Sequence, residues 1–374
     1  MRSRTTAGVV VALAALSAVA ACDMIKGGAG KQDTTTVAPK AGAGTAAAVA
    51  KSDSVGGVPA VPGDSAARAA AAADTGEVEM YPPQARQGGV LYAFARGLGM
   101  AIPRCTWKGE PLPCYSINGG VLATVPLPAD EAAGTFTLTF DRPNGRITRQ
   151  VVVNERAFDR ELVFLDEERY ALLKRTRDIA RDARAVRGIL AGESAERRWT
   201  GRWGEPLPAA KSSGYGVERF YYPASDSSRA ISLGSSARTR GTFATDTSEA
   251  RAQGAPGWRH AGVDIPAARG ARVAAPAGAI VADVGDYTLT GTTVVLDHGQ
   301  GVFTAYFHLD SALVQKGDVV RAGKVIGRVG ESGLATGPHL HYGVYVHGRD
   351  VDPAAWRDMP GFARGDSAAV AQGR

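Results

Sequence analysis

Short apolar runs broken by turn glycines fill the last third of the chain, and that rhythm constrains its fold more than any other feature. Arg272 to Ala274, Gly278 to Val284, Thr292 to Leu296, Val302 to Leu309, Lys324 to Val329 and His339 to Val346 are strand-length, with Gly285, Gly299, Gly301, Gly317, Gly323 and Gly330 between them. A parallel sheet would need crossover helices between successive strands. None are signalled here, so the sheet is expected to be antiparallel.

A second β-rich stretch lies upstream, over residues 78–165. Val90 to Ala95, Gly120 to Val125, Thr135 to Phe140 and Ile147 to Val153 alternate with turns, the last pair joined by the hairpin dipeptide Asn144-Gly145. This reads as a small β-sandwich. Over 166–200 the period changes, with Leu172, Ile179 and Val186 seven apart, Ala183 and Leu190 nearby, and Asp166-Glu167-Glu168 in front. An amphipathic helix bridging two domains is expected there, and a second domain over 214–358. The tail, 359–374, is small and polar and reads as disordered.

The N-terminus has the layout of an export signal over 1–22. Met1-Arg2-Ser3-Arg4 precedes an uncharged run from Ala7 to Ala21 that is short for a membrane span. Val19-Ala20-Ala21-Cys22 resembles a bacterial lipobox, which implies lipidation of Cys22 and a stable anchor in a bacterial membrane. From 23 to 77 the chain is almost entirely Ala, Gly, Thr, Ser, Pro and Val, too poor in large apolar residues to offset the entropy of ordering. Such a tether spans about 40 Å on average. Cys105 and Cys114, around the turn Lys108-Gly109, are expected to form a disulfide in an exported chain.

Charge excludes one class of partner. Lys and Arg number 43 against 37 acids, a net +6, and two of those arginines lie in the first four residues. The mature chain is only mildly basic, without the basic, aromatic-interleaved stripe that nucleic acid requires.

All six histidines, His260, His298, His308, His339, His341 and His347, fall in the last third. On a strand, His339 and His341 point to one face while Leu340, Tyr342 and Val344 point to the other. A metal site could use both directly, or one as ligand with the other beside it. The even spacing of His260 and Asp264 likewise puts both on one face. Two imidazoles and one carboxylate make up the three protein ligands of a catalytic zinc site, with the fourth position left to water. Alternation places His308 with Thr304 and Tyr306, away from Phe303 and Phe307. His298, in the turn Asp297-His298-Gly299, reads as structural or solvated, and His347 has no assigned role. No histidine is followed by glutamate and no G-x-S-x-G occurs, so neither an HExxH helix nor a serine-hydrolase elbow is present.

His260-Ala261-Gly262-Val263-Asp264, Tyr306-Phe307-His308-Leu309 and Gly337-Pro338-His339-Leu340-His341, in that order, resemble the motifs of the lysostaphin-type (LytM-like) zinc endopeptidases that act on peptidoglycan. The resemblance runs from about Phe220 to Trp356. It implies a mainly β fold, an antiparallel peptidase domain with a groove floored by a sheet, preceded by an Ig-like β-sandwich and a linking helix. It also implies one Zn2+ per chain held by His260, Asp264 and His341. His308 and His339 would be the catalytic pair, one taking a proton from water and the other stabilising the tetrahedral species. Ile231 to Arg259 departs from the family's compact Ser-x-Phe-Gly pattern by a long polar insertion. The implied activity is hydrolysis of peptidoglycan peptides during wall remodelling. The rival readings are a non-enzymatic activator of wall amidases and a peptidase of the same chemistry acting on proteins.

Overall fold

The computed structural model describes residues 78–96, 102–117, 119–142, 145–226, 237–238, 242–243 and 257–361. The export signal, Cys22, the 23–77 tether and Asn144 lie outside the described residues. Among those described, no helix is long and apolar enough to cross a membrane.

The first strands form two sheets. One has the order β1 (Val78–Tyr81), β2 (Val90–Arg96), β5 (Gly120–Pro126), β4 (Cys114–Ile117); the other runs from Ala85–Arg86 through β7 (Gly145–Asn154), β6 (Gly134–Arg142) and β3 (Arg104–Trp107) to Glu110–Leu112. The alternation in β7 has a direct physical result. Ile147, Val151 and Val153 are buried while Arg146, Thr148, Gln150 and Val152 are exposed, as expected of a strand with one face on a core. Leu91, Ala93, Val121, Leu138 and Phe140 complete that core. A disulfide between Cys105 on β3 and Cys114 on β4, with Cα atoms 6.2 Å apart, ties one sheet to the other.

Strand β2 is buried on both faces apart from Arg96. Its second face, Val90, Tyr92 and Phe94, packs into the C-terminal body beside Trp199, Trp203, Tyr215 and Trp356. The three tryptophan rings sit edge-on, with centroids 5.3 to 5.7 Å apart, a favoured aromatic geometry. The two β-rich regions therefore share one apolar core.

The stretch between them departs from the expected single helix. Asp166 caps α1 (Glu167–Leu172) by accepting from the Arg169 amide at 2.8 Å, and after a break that buries Leu173 the chain continues as α2 (Thr176–Leu190). Ile179, Ala183, Val186 and Leu190 form the buried stripe of α2, and Val186 and Leu190 lie on Val295, Phe303, Phe307 and Tyr345. Helix ends at Leu190, so 191–200 is irregular chain that delivers Trp199 to the shared core.

Strand β8 (Arg160–Leu165) does not complete the sandwich, to which the sequence assigns it. It pairs in parallel with β9 (Glu218–Pro223), and β9 pairs with β10 (Gly257–Arg259). The α1–α2 pair is thus the crossover that a parallel pair requires, and the antiparallel rule holds for the last sheet but not here. Periodicity shows that β8 has two faces; it does not show which strand it will meet.

The last sheet has the order β11 (Val263–Pro266), β16 (His339–Val346), β14 (Val302–Ala312), β13 (Gly291–Gly299), β12 (Ala279–Tyr287), Val319–Val320, all antiparallel. β15 (Val325–Val329) pairs with both β14 and Arg272–Ala274, and α3 (Pro353–Arg357) follows. Met359 belongs to the core, so the ordered chain extends past the expected boundary at 358. Leu340, Tyr342 and Val344 face the shared core, which leaves the opposite face for His339 and His341.

His298 is buried in that core. Its Nδ1 donates to the Gly278 carbonyl at 2.8 Å, and its Nε2 pairs at 2.8 Å with the Thr304 hydroxyl, which meets Tyr306. Burial lowers its pKa to about 3. The folded chain therefore excludes a proton that the unfolded chain accepts below about pH 6.5, so the contribution of His298 to stability is lost as pH falls from there towards 3. The prediction is that His298→Asn is less stable than the parent at pH 8 by urea denaturation, and that the gap narrows steadily on acidification. A gap independent of pH would refute it.

Candidate active site

Two strands bring the candidate metal ligands together. In the antiparallel pairing of β11 with β16, Asp264 lies directly opposite His341. His260 precedes β11, held by its own amide on the Val217 carbonyl at 2.8 Å and by its ring Nδ1 on the Gly214 carbonyl at 2.7 Å. With Nδ1 carrying the hydrogen, Nε2 of His260 presents a lone pair, 3.0 Å from Asp264 Oδ1 and 2.9 Å from His341 Nδ1. Asp264 Oδ1 to His341 Nδ1 is 3.1 Å. All three residues are buried.

Three converging donors fit a cation. A tetrahedral ion with bonds of 2.0–2.1 Å has ligand edges of about 3.3 Å, close to the observed triangle. Burial lowers the pKa of both imidazoles, that of His341 to about 4. Burial alone would raise the Asp264 carboxyl, but His260 and Arg219 hold it well below the usual carboxylate range. The donors therefore stand in the deprotonated forms that metal binding requires.

His308 reaches the same site by a route that alternation does not predict. Tyr306 pairs with Val294 and Leu309 with Thr292, so two residues of β14 oppose one of β13, and His308 has φ +60°. This bulge shifts the parity of the strand. Leu309 joins the core alongside Tyr306, and His308 turns to the opposite face, its ring centroid 4.8 Å from that of His339. Nδ1 of His308 donates to the Ser332 carbonyl and Nδ1 of His339 to the Gly337 carbonyl, both at 2.8 Å. Each leaves Nε2 free for the site, and that of His339 lies 3.7 Å from Asp264 Oδ1. Burial, with His339 and His341 nearby, pushes His308 well below the ordinary histidine range. It can take up a proton only transiently.

His260, Asp264, His308, His339 and His341 thus form one cluster, and the other two histidines do not join it. His347 pairs with Glu193 at 2.7 Å and stacks on Tyr115, while His298 serves the core.

The site opens into a cleft of about 310 Å³ whose lining includes Asp264, His308, His339, Thr336 and Pro338, together with Glu161, Val163 and Leu165 of β8 and Arg219 and Tyr221 of β9. The residues of β8 and β9 were not singled out from sequence. The one available signal was a charged side chain, Arg219, sharing parity with Tyr221 in a strand that is aromatic from Phe220 to Tyr222.

Comparison with known proteins now has a geometry to refer to. The family model for Peptidase family M23 matches residues 258–353, which lie within this C-terminal β-domain. Among curated relatives, the DD-carboxypeptidase/endopeptidase Mpg of Neisseria meningitidis is 40% identical over 116 residues, 30% of this chain and 27% of that protein. The peptidoglycan DD-endopeptidase ShyA of Vibrio cholerae is 39% identical over 93 residues, 25% of this chain and 22% of that protein. The chain thus spans about a quarter of the length of these relatives. A solved Pseudomonas aeruginosa structure described as a peptidase M23 shares the fold with a TM-score of 0.50 at 23% identity, covering 74% of this chain and 95% of that one.

Gly262, two residues from each of His260 and Asp264, faces His341. A Cβ there would lie 2.4 Å from the Tyr342 carbonyl oxygen and 2.7 Å from His341 Nε2. Gly262→Ala must therefore push β16 away from β11 and widen the donor triangle. It is expected to weaken divalent-metal binding roughly tenfold or more in a chelator competition, the scale seen when a ligand's support is disturbed. An unchanged affinity would show that the pairing can give way without cost.

Proposed function

We propose that the chain is a zinc-dependent endopeptidase that hydrolyses peptide bonds in peptidoglycan. The observation that carries this reading is the convergence of His260 Nε2, His341 Nδ1 and Asp264 Oδ1 at 2.9 to 3.1 Å, with two further imidazoles on the same cleft. Relatives named as peptidoglycan DD-endopeptidases support the substrate class.

When bound, one zinc would supply a Lewis acid that polarises the scissile carbonyl and acidifies water. The chain's own part follows from tautomers already fixed by backbone carbonyls. His339 Nε2 is placed to accept the proton from the attacking water, and His308 Nε2, once protonated, to donate to the tetrahedral species or the leaving amine; the two can exchange roles. Their anchors, the Ser332 and Gly337 carbonyls, keep both rings aimed at the cleft without reorganisation. The apolar sides of Val163, Leu165 and Pro338 limit water around a bound peptide.

In this reading the enzyme is exported and held on a bacterial membrane by lipid on Cys22, with residues 23–77 letting the peptidase domain reach the wall. Cys22→Ala should move the protein from the membrane fraction to the soluble one, followed by immunoblotting. Retention in the membrane would remove the anchor from the proposal.

The activity itself is tested on purified peptidoglycan, with released muropeptides identified by mass spectrometry. Cleavage is expected to stop with chelator, return with zinc, and fall by roughly 10²–10⁴ in His339→Ala, the usual contribution of a general acid–base group. Chelator-insensitive cleavage would overturn the metal chemistry. Enhancement of an added amidase without cleavage would favour the activator reading, and cleavage of casein but not peptidoglycan the protein-peptidase reading.

A further inference from the structure

Asp264 has two oxygens, and only one faces the histidines. Oδ2 accepts from Arg219 Nη2 at 2.6 Å, while Oδ1 lies against His260, His341 and His339. Arg219 is held in turn: its Nε donates to Glu161 Oε2 at 3.2 Å, and Glu161 accepts from the Ser213 hydroxyl at 3.2 and 3.3 Å. Glu161 and Arg219 are direct partners in the parallel β8–β9 register. The side chains of Arg219, Glu161 and Asp264 are 14%, 18% and 10% exposed, so this chain of charges is largely shielded from water.

We propose that Arg219 is a positioning residue of the metal centre: it occupies Oδ2 so that Asp264 offers a single oxygen, and Glu161 fixes the guanidinium that does so. The inference rests on the metal-centre reading of His260, Asp264 and His341. Guanidinium geometry suits the task. Its planar fork engages two carboxylates in different directions, which an ammonium group cannot do with the same fixed angles. Without the fork, the carboxylate of Asp264 is free to turn and offer both oxygens, which changes coordination number and weakens the selectivity for a tetrahedral ion. Neither Arg219 nor Glu161 lies within the matched residues 258–353. The metal centre therefore depends on strands contributed from upstream, and β8 precedes the bridging helices altogether.

The test uses the full chain with zinc and cobalt(II) alone. The parent should bind one ion and, with cobalt, show the intense visible absorption of a four-coordinate site. Arg219→Ala should bind zinc roughly 10- to 100-fold more weakly in a chelator competition, with the cobalt bands weakened and shifted as a second oxygen enters. Arg219→Lys should recover part of the affinity but not the parent spectrum. Glu161→Gln, which preserves shape, should give a smaller shift of the same sign, and it decides the matter if Arg219→Ala does not fold. Folded variants with the parent's affinity and spectrum would overturn the role of Arg219 while leaving the metal centre intact. A parent chain that binds neither ion would overturn the metal-centre reading and this inference with it.

Discussion

The pairing of β11 with β16 is the constraint on which the site depends. In an antiparallel ladder, directly opposed residues sit on the same face, so the register that puts Ile265 opposite Leu340 in the core also puts Asp264 opposite His341 on the other side. A slip of one residue would send Asp264 into the core and Ile265 into the cleft. The core therefore enforces the register, because Val263, Ile265, Leu340 and Tyr342 are all buried in one cluster. Apolar burial on the far face of these two strands thus holds the donor residues opposite one another.

That arrangement leaves charge in a poorly hydrated place, and the surrounding structure answers it. Asp264 is buried among imidazoles that burial keeps neutral, so its negative charge needs a partner. Arg219 provides one, and Glu161 balances Arg219. The crossover through α1 and α2 can be understood in these terms. It returns the chain so that β8 lies beside β9 in parallel, with Glu161 next to Arg219, while α2 covers the outer face of the last sheet.

Much of this was legible in sequence, and the failures have specific causes. Alternation in β16 correctly separated His339 and His341 from Leu340, Tyr342 and Val344, because that strand is regular over its whole length. The same rule failed at His308, where a bulge inserts a residue and reverses the parity. The seven-residue apolar spacing located α2, but not the break after Leu172, where turn geometry outweighs periodicity. β8 was placed with the sandwich only by the bounds 78–165, because its partner lies more than fifty residues downstream and pattern within a segment carries no information about pairing at that distance. Glu161 and Arg219 were missed for the same reason: each looks like an ordinary surface charge until the parallel register brings them together.

The bulge and the crossover also explain how one sheet face can hold both a rigid donor set and two imidazoles with free nitrogens. A regular β14 would direct His308 into the core beside Tyr306, where the Thr304–His298 chain already occupies the polar positions. Reversal at the bulge instead places it over His339, with its Nδ1 taken by a carbonyl from the loop that carries Ser332. That loop is pinned: the Ser332 hydroxyl donates to the Leu309 carbonyl at 2.7 Å and accepts from the Thr292 amide at 2.9 Å. The orientation of His308 is therefore fixed by the backbone on both of its sides. An imidazole held in this way loses little entropy when it engages a substrate, which suits a proton-transfer group and is unnecessary for one that only fills space.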